Sequence, residues 1–478
     1  MRVVMYVFND CRTDARVLRE ASSLTAEGHQ VTIIARPTDP VAKVGDREDR
    51  DGFEIVRVPV PQAWRFYWTW LRYPWRMRRW WVGRMGGAIR QLPGGLIVIA
   101  VLLPAAAVTA VWAIVRLPFY LLARRRPTPP GGSTLDWLIR WRWVVLGWAR
   151  AAALAAPPAG VHHGHDLTGL EAAGLARRQS GGELVYDSHE IFLESGSNAD
   201  RPRLFKGWLA RREQRWSSEA CAVVTVNNSL ARDLGRRLRA SRIVVVHNCP
   251  ARWDPPVPRP DVIRSATGIP AGERIALYHG GFSAHRGLEQ LADAILEPGL
   301  ETVHAVFLGY GSQRAMLDRM AADQRFGGRL HVLAAVPPSE LMPWVASADV
   351  AVMPIQPSTL NHRLSTPNKL FEALAAGVPV VVSDFEEMHE IVLNDPAGPL
   401  GAVCQPTDVA DVARAIREVL ERPPVEAAAL RDRCLRAAHA RWSWESEIDG
   451  LIDLYRDIGD IENLGDIGGR PRAGSAHA

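Results

Sequence analysis

Twelve short apolar runs recur along this chain between stretches of helical periodicity, and a buried run followed by a helix is the repeating unit of a parallel sheet. Seven of them lie near residues 2–8, 30–35, 53–58, 160–164, 183–187, 221–226 and 242–247; five more lie near 274–279, 303–308, 329–333, 349–353 and 378–382. The proline-rich stretch Pro250 to Pro260 separates the two series as a linker. The pattern predicts an α/β protein of two Rossmann-like domains, 1–250 and 251–440, and 478 residues are indeed too many for one ordinary core. A last apolar helix near Trp442 to Ile458 follows, with residues 441–456 expected to cross back to the first domain. Residues 457–478 are glycine-rich and polar, and are expected to be disordered.

The first series is interrupted. Residues 61–150 hold fourteen arginines, no lysine and one acid, Asp136, so this segment carries +13 and leaves −8 for the rest of a chain of net charge +5. Eleven of the seventeen tryptophans fall in the same stretch, including Trp64, Trp68, Trp70, Trp75, Trp80 and Trp81 among Arg65, Arg72, Arg76, Arg78 and Arg79. Cations interleaved with interfacial aromatics suit an anionic membrane surface. Leu96 to Val115 is a run of twenty uncharged residues, long enough for a bilayer core. A single crossing conflicts with the fold, because strands before residue 60 and after residue 160 share one sheet. Arginines flank the run on both sides and Pro104 interrupts it, so the reading is a re-entrant or interfacial hairpin, or paired spans, around residues 92–123 on the cytoplasmic side of the cell membrane. Trp137 to Trp148 repeats the pattern and is expected in the headgroup plane. Nucleic acid is the rival partner for such a basic patch; the adjoining apolar run argues against it.

The five cysteines are scattered, with no Cys-x-x-Cys pair, which suits a reduced compartment without a zinc or disulfide framework. The first strand reads as buried, not as a signal peptide, and no glycine-rich phosphate loop follows it, which disfavours a nicotinamide-dependent enzyme. Asp49-Arg-Asp51 has the letters of a metal motif but reads as a charged, solvated turn, so no metal site is expected.

The most particular segment runs from Ser365 to Val381, STPNKLFEALAAGVPVV. Ser365 or Thr366 is placed to cap a helix that begins with proline and ends at Gly377 before a buried strand. A helix start of this kind receives anions, and Glu372, about a turn and a half in, is within reach of vicinal hydroxyls. Other separated blocks are Asp14 to Ala21, Glu27 to Thr32, Val161 to Asp166, Tyr186 to Glu190, Tyr278 to Gly287, Phe307 to Ser312 and Ala348 to Pro354.

On these blocks the chain resembles the retaining glycosyltransferases called family 4, of the GT-B fold, over nearly its full length apart from the insertion (61–155) and the tail. The resemblance implies that the second domain holds a nucleotide sugar and the first presents the acceptor. It implies Glu372 on the nucleotide ribose, Arg286 on the diphosphate, Gly280 and Gly281 for close backbone approach, and Gly309 and Gly311 at a turn near the nucleotide. Ser365, Thr366, Asn368 and Lys369 complete the donor set, with Asn361 as a supplement, and His165 with Asp166 is the catalytic candidate near the reacting sugar. His163, His189, Glu190 and Arg16 are further candidates for the cleft, Arg16 equally for a salt bridge with Asp14 or Glu20. Two positions depart from the family: Leu364 stands where a second glutamate is common, and Gly281 where an arginine is common. The expected function is transfer of a sugar, with retention and without metal or cofactor, to a lipid-linked saccharide or glycolipid in cell-surface assembly. The alternative is a catalytically silent relative that scaffolds a membrane assembly.

Overall fold

The computed structural model describes residues 1–38, 46–60 and 133–467. The hydrophobic run, the hairpin expected around 92–123 and the tryptophans from Trp64 to Trp81 lie outside the described residues, as do residues 468–478. Among the described residues no helix is long and apolar enough to cross a membrane.

Eight strands form the first sheet: β1 (Arg2–Val7), β2 (Gln30–Ala35), β3 (Asp46–Arg50), β4 (Phe53–Arg57), β5 (Val161–His165), β6 (Glu183–Ser188), β7 (Ala222–Thr225) and β8 (Ile243–Val245). Their order is β3-β4-β2-β1-β5-β6-β7-β8, parallel except for β3. β1 pairs β2 from Arg2 opposite Gln30 to Val7 opposite Ala35, and on its other side meets β5 with Val3 opposite Val161. Helices cover both faces, so the central strands read as continuous apolar runs. β3, Asp-Arg-Glu-Asp-Arg, is the exception: Asp49 and Arg50 lie on this strand where a solvated turn was expected, and Asp51 stands in the exposed turn that follows. β3 is a charged edge strand, antiparallel to β4, with Arg47 2.6 Å from Glu54 and Arg57 2.6 Å from Glu48. Charge on an edge strand blocks pairing with other chains.

The second sheet comprises β9 (Arg274–Gly281), β10 (Val303–Tyr310), β11 (Leu330–Ala334), β12 (Val350–Met353), β13 (Val380–Ser383) and β14 (Gly401–Cys404), in the order β11-β10-β9-β12-β13-β14. Both sheets reverse strand order at one point, between β1 and β5 and between β9 and β12. Ligands of open α/β sheets bind at the carboxyl ends of strands beside such a point.

The closing helix, Asp449–Ile467, buries Leu451, Leu454, Tyr455 and Ile458 in the cluster that holds Val3, Met5 and Ile33, so it does cross back to the first sheet. It also runs through residues 457–467, which were expected to be disordered. Trp444 anchors the crossing with its indole N–H on Ser23 Oγ at 2.9 Å. The returning end of the insertion is the other correction. Thr134–Arg140, a π-helical turn at Trp141–Val145 and Leu146–Ala155 pack on the first domain instead of offering all their tryptophans to a headgroup plane. Trp148 is fully buried and donates to Val58 O at 3.0 Å, and Trp141 is only 4% exposed.

Candidate functional site

A cavity of about 600 Å³ opens between the two sheets, where the ends of β9 and β10 face the helices Ala15–Ala26 and Asn368–Ala375. Gly280, Gly281, Arg286, Gly309, Ser365, Thr366, Asn368, Lys369 and Glu372 all line it. Arg16, His189, Glu190 and Asn361 contribute to the same wall. Gly311 does not: a Cβ there would sit 2.3 Å from Phe282 O, so its absence of side chain serves packing of the loop. Gly309 is needed for the same reason as well as for access, its Cβ position lying 1.9 Å from Gly280 O.

Charge is arranged along this cavity. The helix Asn368–Ala375 starts after Pro367, and neither Ser365 nor Thr366 caps it as expected. Thr366 Oγ1 instead accepts from Asn227 Nδ2 at 2.9 Å, and the Ser365 hydroxyl donates to His362 O at 3.3 Å. The helix start therefore keeps its amide dipole for a ligand. Lys369 Nζ lies 3.9 Å from the centre of the Tyr278 ring, and burial together with neighbouring Arg286 pulls its ammonium down to about 7. The negative charge of an approaching dianion works against both effects, so this lysine is poised to gain charge as it binds one. Glu372 Oε2 accepts from His279 Nε2 at 2.8 Å. Burial works to raise that carboxyl, but the His279 hydrogen bond and the charges of Lys369 and Arg19 outweigh it and keep it ionised. At Gly281 a Cβ would meet open space, and Leu364 packs on Ile191, Val226 and Leu230 in a small apolar cluster. The residue replacing the second glutamate thus seals the seam between domains.

His165 and Asp166 line a neighbouring pocket of about 300 Å³ instead. His165 is 1% exposed at the end of β5, with Nδ1 3.2 Å from both Asp187 Oδ2 and His189 Nε2. His189, which lines the larger cavity, touches Asp187 at 3.1 Å and lies 3.9 Å from Asp166, so it joins the two pockets. Burial disfavours charge on His189, yet Asp187 and Asp166 outweigh it and push the imidazolium up to about 10. Asp166 is held at φ 54°, an uncommon left-handed conformation, and burial raises its carboxyl to about 6. Behind them Arg16 forks onto Asp187 at 2.9 and 3.1 Å, and its Nε lies 2.9 Å from Glu20. Glu20, His163, His165 and Asp187 bring metal-ligand atoms within 4.8 Å of one another, but the Arg16 guanidinium already supplies the positive charge there. His163 is drawn away from the cleft by a 2.8 Å hydrogen bond with Tyr455. Sequence reasoning missed Asp187 as the hub of this network, although it lies within the block Tyr186 to Glu190. It also missed Arg19, whose guanidinium bonds Asn248 and Cys249 O and stacks on Trp444.

The seam between domains titrates. Glu387 accepts from Ser229 N at 2.8 Å at the start of the helix Asn228–Leu238, and His247 Nδ1 lies 2.9 Å from Glu447 and its Nε2 3.8 Å from Glu387. Burial opposes charge on His247, but the two carboxylates lift it from 6.5 to about 9. Burial likewise works against the Glu387 charge, and His247 with the Ser229 and Asn228 donors brings it from 4.5 down to about 2. The raised histidine stabilises the seam fully below pH 6.5 and loses that contribution as pH rises through about 9. The depressed carboxyl contributes above pH 4.5 and loses it only as pH falls through about 2. The seam is expected to be tightest between those limits and to loosen in alkali. Small-angle scattering should show a larger radius of gyration at alkaline pH, and a His247→Gln variant should lack that pH dependence.

Three family models match parts of the chain: one described as glycosyl transferases group 1 over residues 273–422, a glycosyl transferase 4-like domain over 13–143, and glycosyltransferase family 4 over 107–249. A glycogen synthase of Mycobacterium tuberculosis is 29% identical over 271 residues, 55% of this chain and 58% of that protein, so the match spans under two thirds of its length. A D-inositol 3-phosphate glycosyltransferase of Saccharomonospora viridis is 27% identical over 62% of this chain and 69% of its own. Among solved structures, a sucrose-phosphate synthase from Thermosynechococcus elongatus superposes with a TM-score of 0.67 at 16% identity, covering 96% of this chain and 100% of that one. A trehalose-6-phosphate structure from E. coli bound with UDP-2-fluoro glucose gives 0.64 at 12% identity, covering 95% and 99%. These structures share the two-sheet fold.

Proposed function

The chain belongs to the group 1, family 4 glycosyltransferases, and on that footing we propose that it moves a sugar from a nucleotide-sugar donor to a hydroxyl of a membrane-resident acceptor, a lipid-linked saccharide or glycolipid of the cell surface. The observation that carries the reading is the convergence of Arg286, Lys369, the uncapped start of Asn368–Ala375 and Glu372 on one cavity. Two cations and helix amides answer a diphosphate, and an ionised carboxylate answers a ribose diol. In the proposed reaction the acceptor oxygen bonds the anomeric carbon as the carbon–oxygen bond to the diphosphate breaks, on the same face. The hydroxyl proton leaves on the diphosphate. The fixed positive charge stabilises the leaving group in the role a metal ion fills elsewhere, so neither metal nor cofactor enters.

The membrane acceptor is supported by the arginine- and tryptophan-rich composition of the insertion in the acceptor domain, which suits the anionic cytoplasmic face of the membrane. The test is nucleotide release from UDP-, GDP- and ADP-sugars by the full chain, with and without a lipid extract of its host. Lipid-dependent release from one donor is expected. No release and no donor binding would favour the silent scaffold. In a parallel flotation assay the full chain is expected to rise with anionic vesicles, and a chain left at the bottom ends the membrane part of the reading.

A further inference from the structure

The smaller pocket is built where the insertion rejoins the sheet. Trp137, Arg140 and Trp141 come from the returning helix, Arg36 from the end of β2, Arg201 from the turn before Arg203–Ser217, and Asp166 from the end of β5. Among the described residues that line it, three are arginines and one, Asp166, is an acid. The arginines are held by aromatic faces: Arg201 lies 4.3 Å from the Trp137 ring and Arg36 4.4 Å from that of Phe8. Stacking fixes a guanidinium in place while leaving its edge free to donate.

The donors here are unsatisfied. Among the described residues, Arg36 Nε, Arg201 Nε and Nη1, Trp137 Nε1 and Trp141 Nε1 are buried without a hydrogen-bond partner, and Trp141 is 96% buried. Burial and the charge of Arg140 depress both Arg36 and Arg201, the latter to about 10. Leaving so many buried N–H groups open destabilises the fold unless a ligand satisfies them. Five donors from four residues exceed what the two oxygens of a carboxylate accept in one place, whereas a phosphate offers three or more oxygens. Inward of these donors, the pocket ends at Asp166 and His165, which His189 links to the donor cavity.

We propose that this pocket grips a phosphate or diphosphate group of the acceptor, so that the acceptor is a phosphorylated molecule whose hydroxyl is brought to Asp166 beside the donor cavity. The inference rests on the transferase reading above and adds the acceptor's chemical class. The phosphate belongs either to a soluble sugar phosphate or to a lipid diphosphate headgroup.

The full chain titrated calorimetrically with inorganic pyrophosphate is expected to show two binding events, one in the donor cavity and one here. Arg201→Gln and Arg36→Gln should each weaken one event by about tenfold or more while sparing the event that Arg286→Ala weakens. Trp141→Phe removes one N–H and keeps an aromatic ring, and should weaken the same event if the arginine variants unfold. If none of these three changes either event, the proposal fails. If Arg201→Gln acts and Arg286→Ala does not, the donor reading fails while the pocket stands. Kinetics then separate the sources. Transfer to a soluble sugar phosphate and to a polyprenyl-diphosphate sugar is compared with transfer to each dephosphorylated counterpart. The phosphorylated member of one pair should be preferred and lose that preference, through KM, in Arg201→Gln. Equal use of the dephosphorylated acceptors overturns the assignment.

Discussion

Replacing Asp187 with alanine is expected to lower the unfolding free energy of the N-terminal domain by about 3–5 kcal/mol, as removal of one partner of a buried ion pair does. Arg16 is 2% exposed and its guanidinium is forked onto this carboxylate, with Nη1 donating to Val246 O at 2.7 Å. Without Asp187 the arginine keeps its charge and its burial but loses its main counter-ion, and His165 and His189 lose their common acceptor. Burial, reinforced by the Asp187 charge, pushes the Glu20 carboxyl up, so Glu20 shares less of the Arg16 charge than Asp187 does. Removing Asp187 lets Glu20 ionise and take over part of the pairing, which moves the expected cost to the lower end of the range. Urea unfolding of the wild type and of Asp187→Ala measures it. A loss under about 1 kcal/mol would mean that Glu20 replaces Asp187 fully and that the hub assignment is wrong.

The second large effect is on donor binding. Glu372→Ala is expected to raise the donor KM by roughly 10- to 100-fold, the range for hydrogen bonds to a charged group. His279 Nε2, 2% exposed as a residue, would also lose its acceptor. Nucleotide release at varied donor concentration reads the KM, and thermal unfolding separates the two roles. A large drop in melting temperature with an unchanged KM would make Glu372 a structural partner of His279 and remove the ribose assignment.

Twelve of the fourteen strands among the described residues were legible from local pattern, because a strand buried on both faces writes itself as an apolar run. β3 escaped because an edge strand keeps its charges in water, and β14 because Gly401–Cys404 is four residues of small side chains. The helix Asn368–Ala375 was legible from its proline start, its glycine end and the strand after it. Its caps were not, since the Thr366 hydroxyl is taken by Asn227, 139 residues away. Trp141 and Trp148 were assigned to a headgroup plane because aromatic and basic residues alternate the same way on a membrane-facing helix as on one whose tryptophans face a sheet.

By itself the sequence determined the two largely parallel sheets, the Ser365 to Val381 motif on its helix and the family, all of which rest on residues adjacent or a few positions apart. Tertiary structure alone decided which side chains meet: Arg16 with Asp187 across 171 positions, and Arg36, Trp141 and Arg201 around one pocket. Periodicity reports whether a residue faces a core. Which neighbour waits there depends on strand order, and strand order is settled only when the chain folds back on itself.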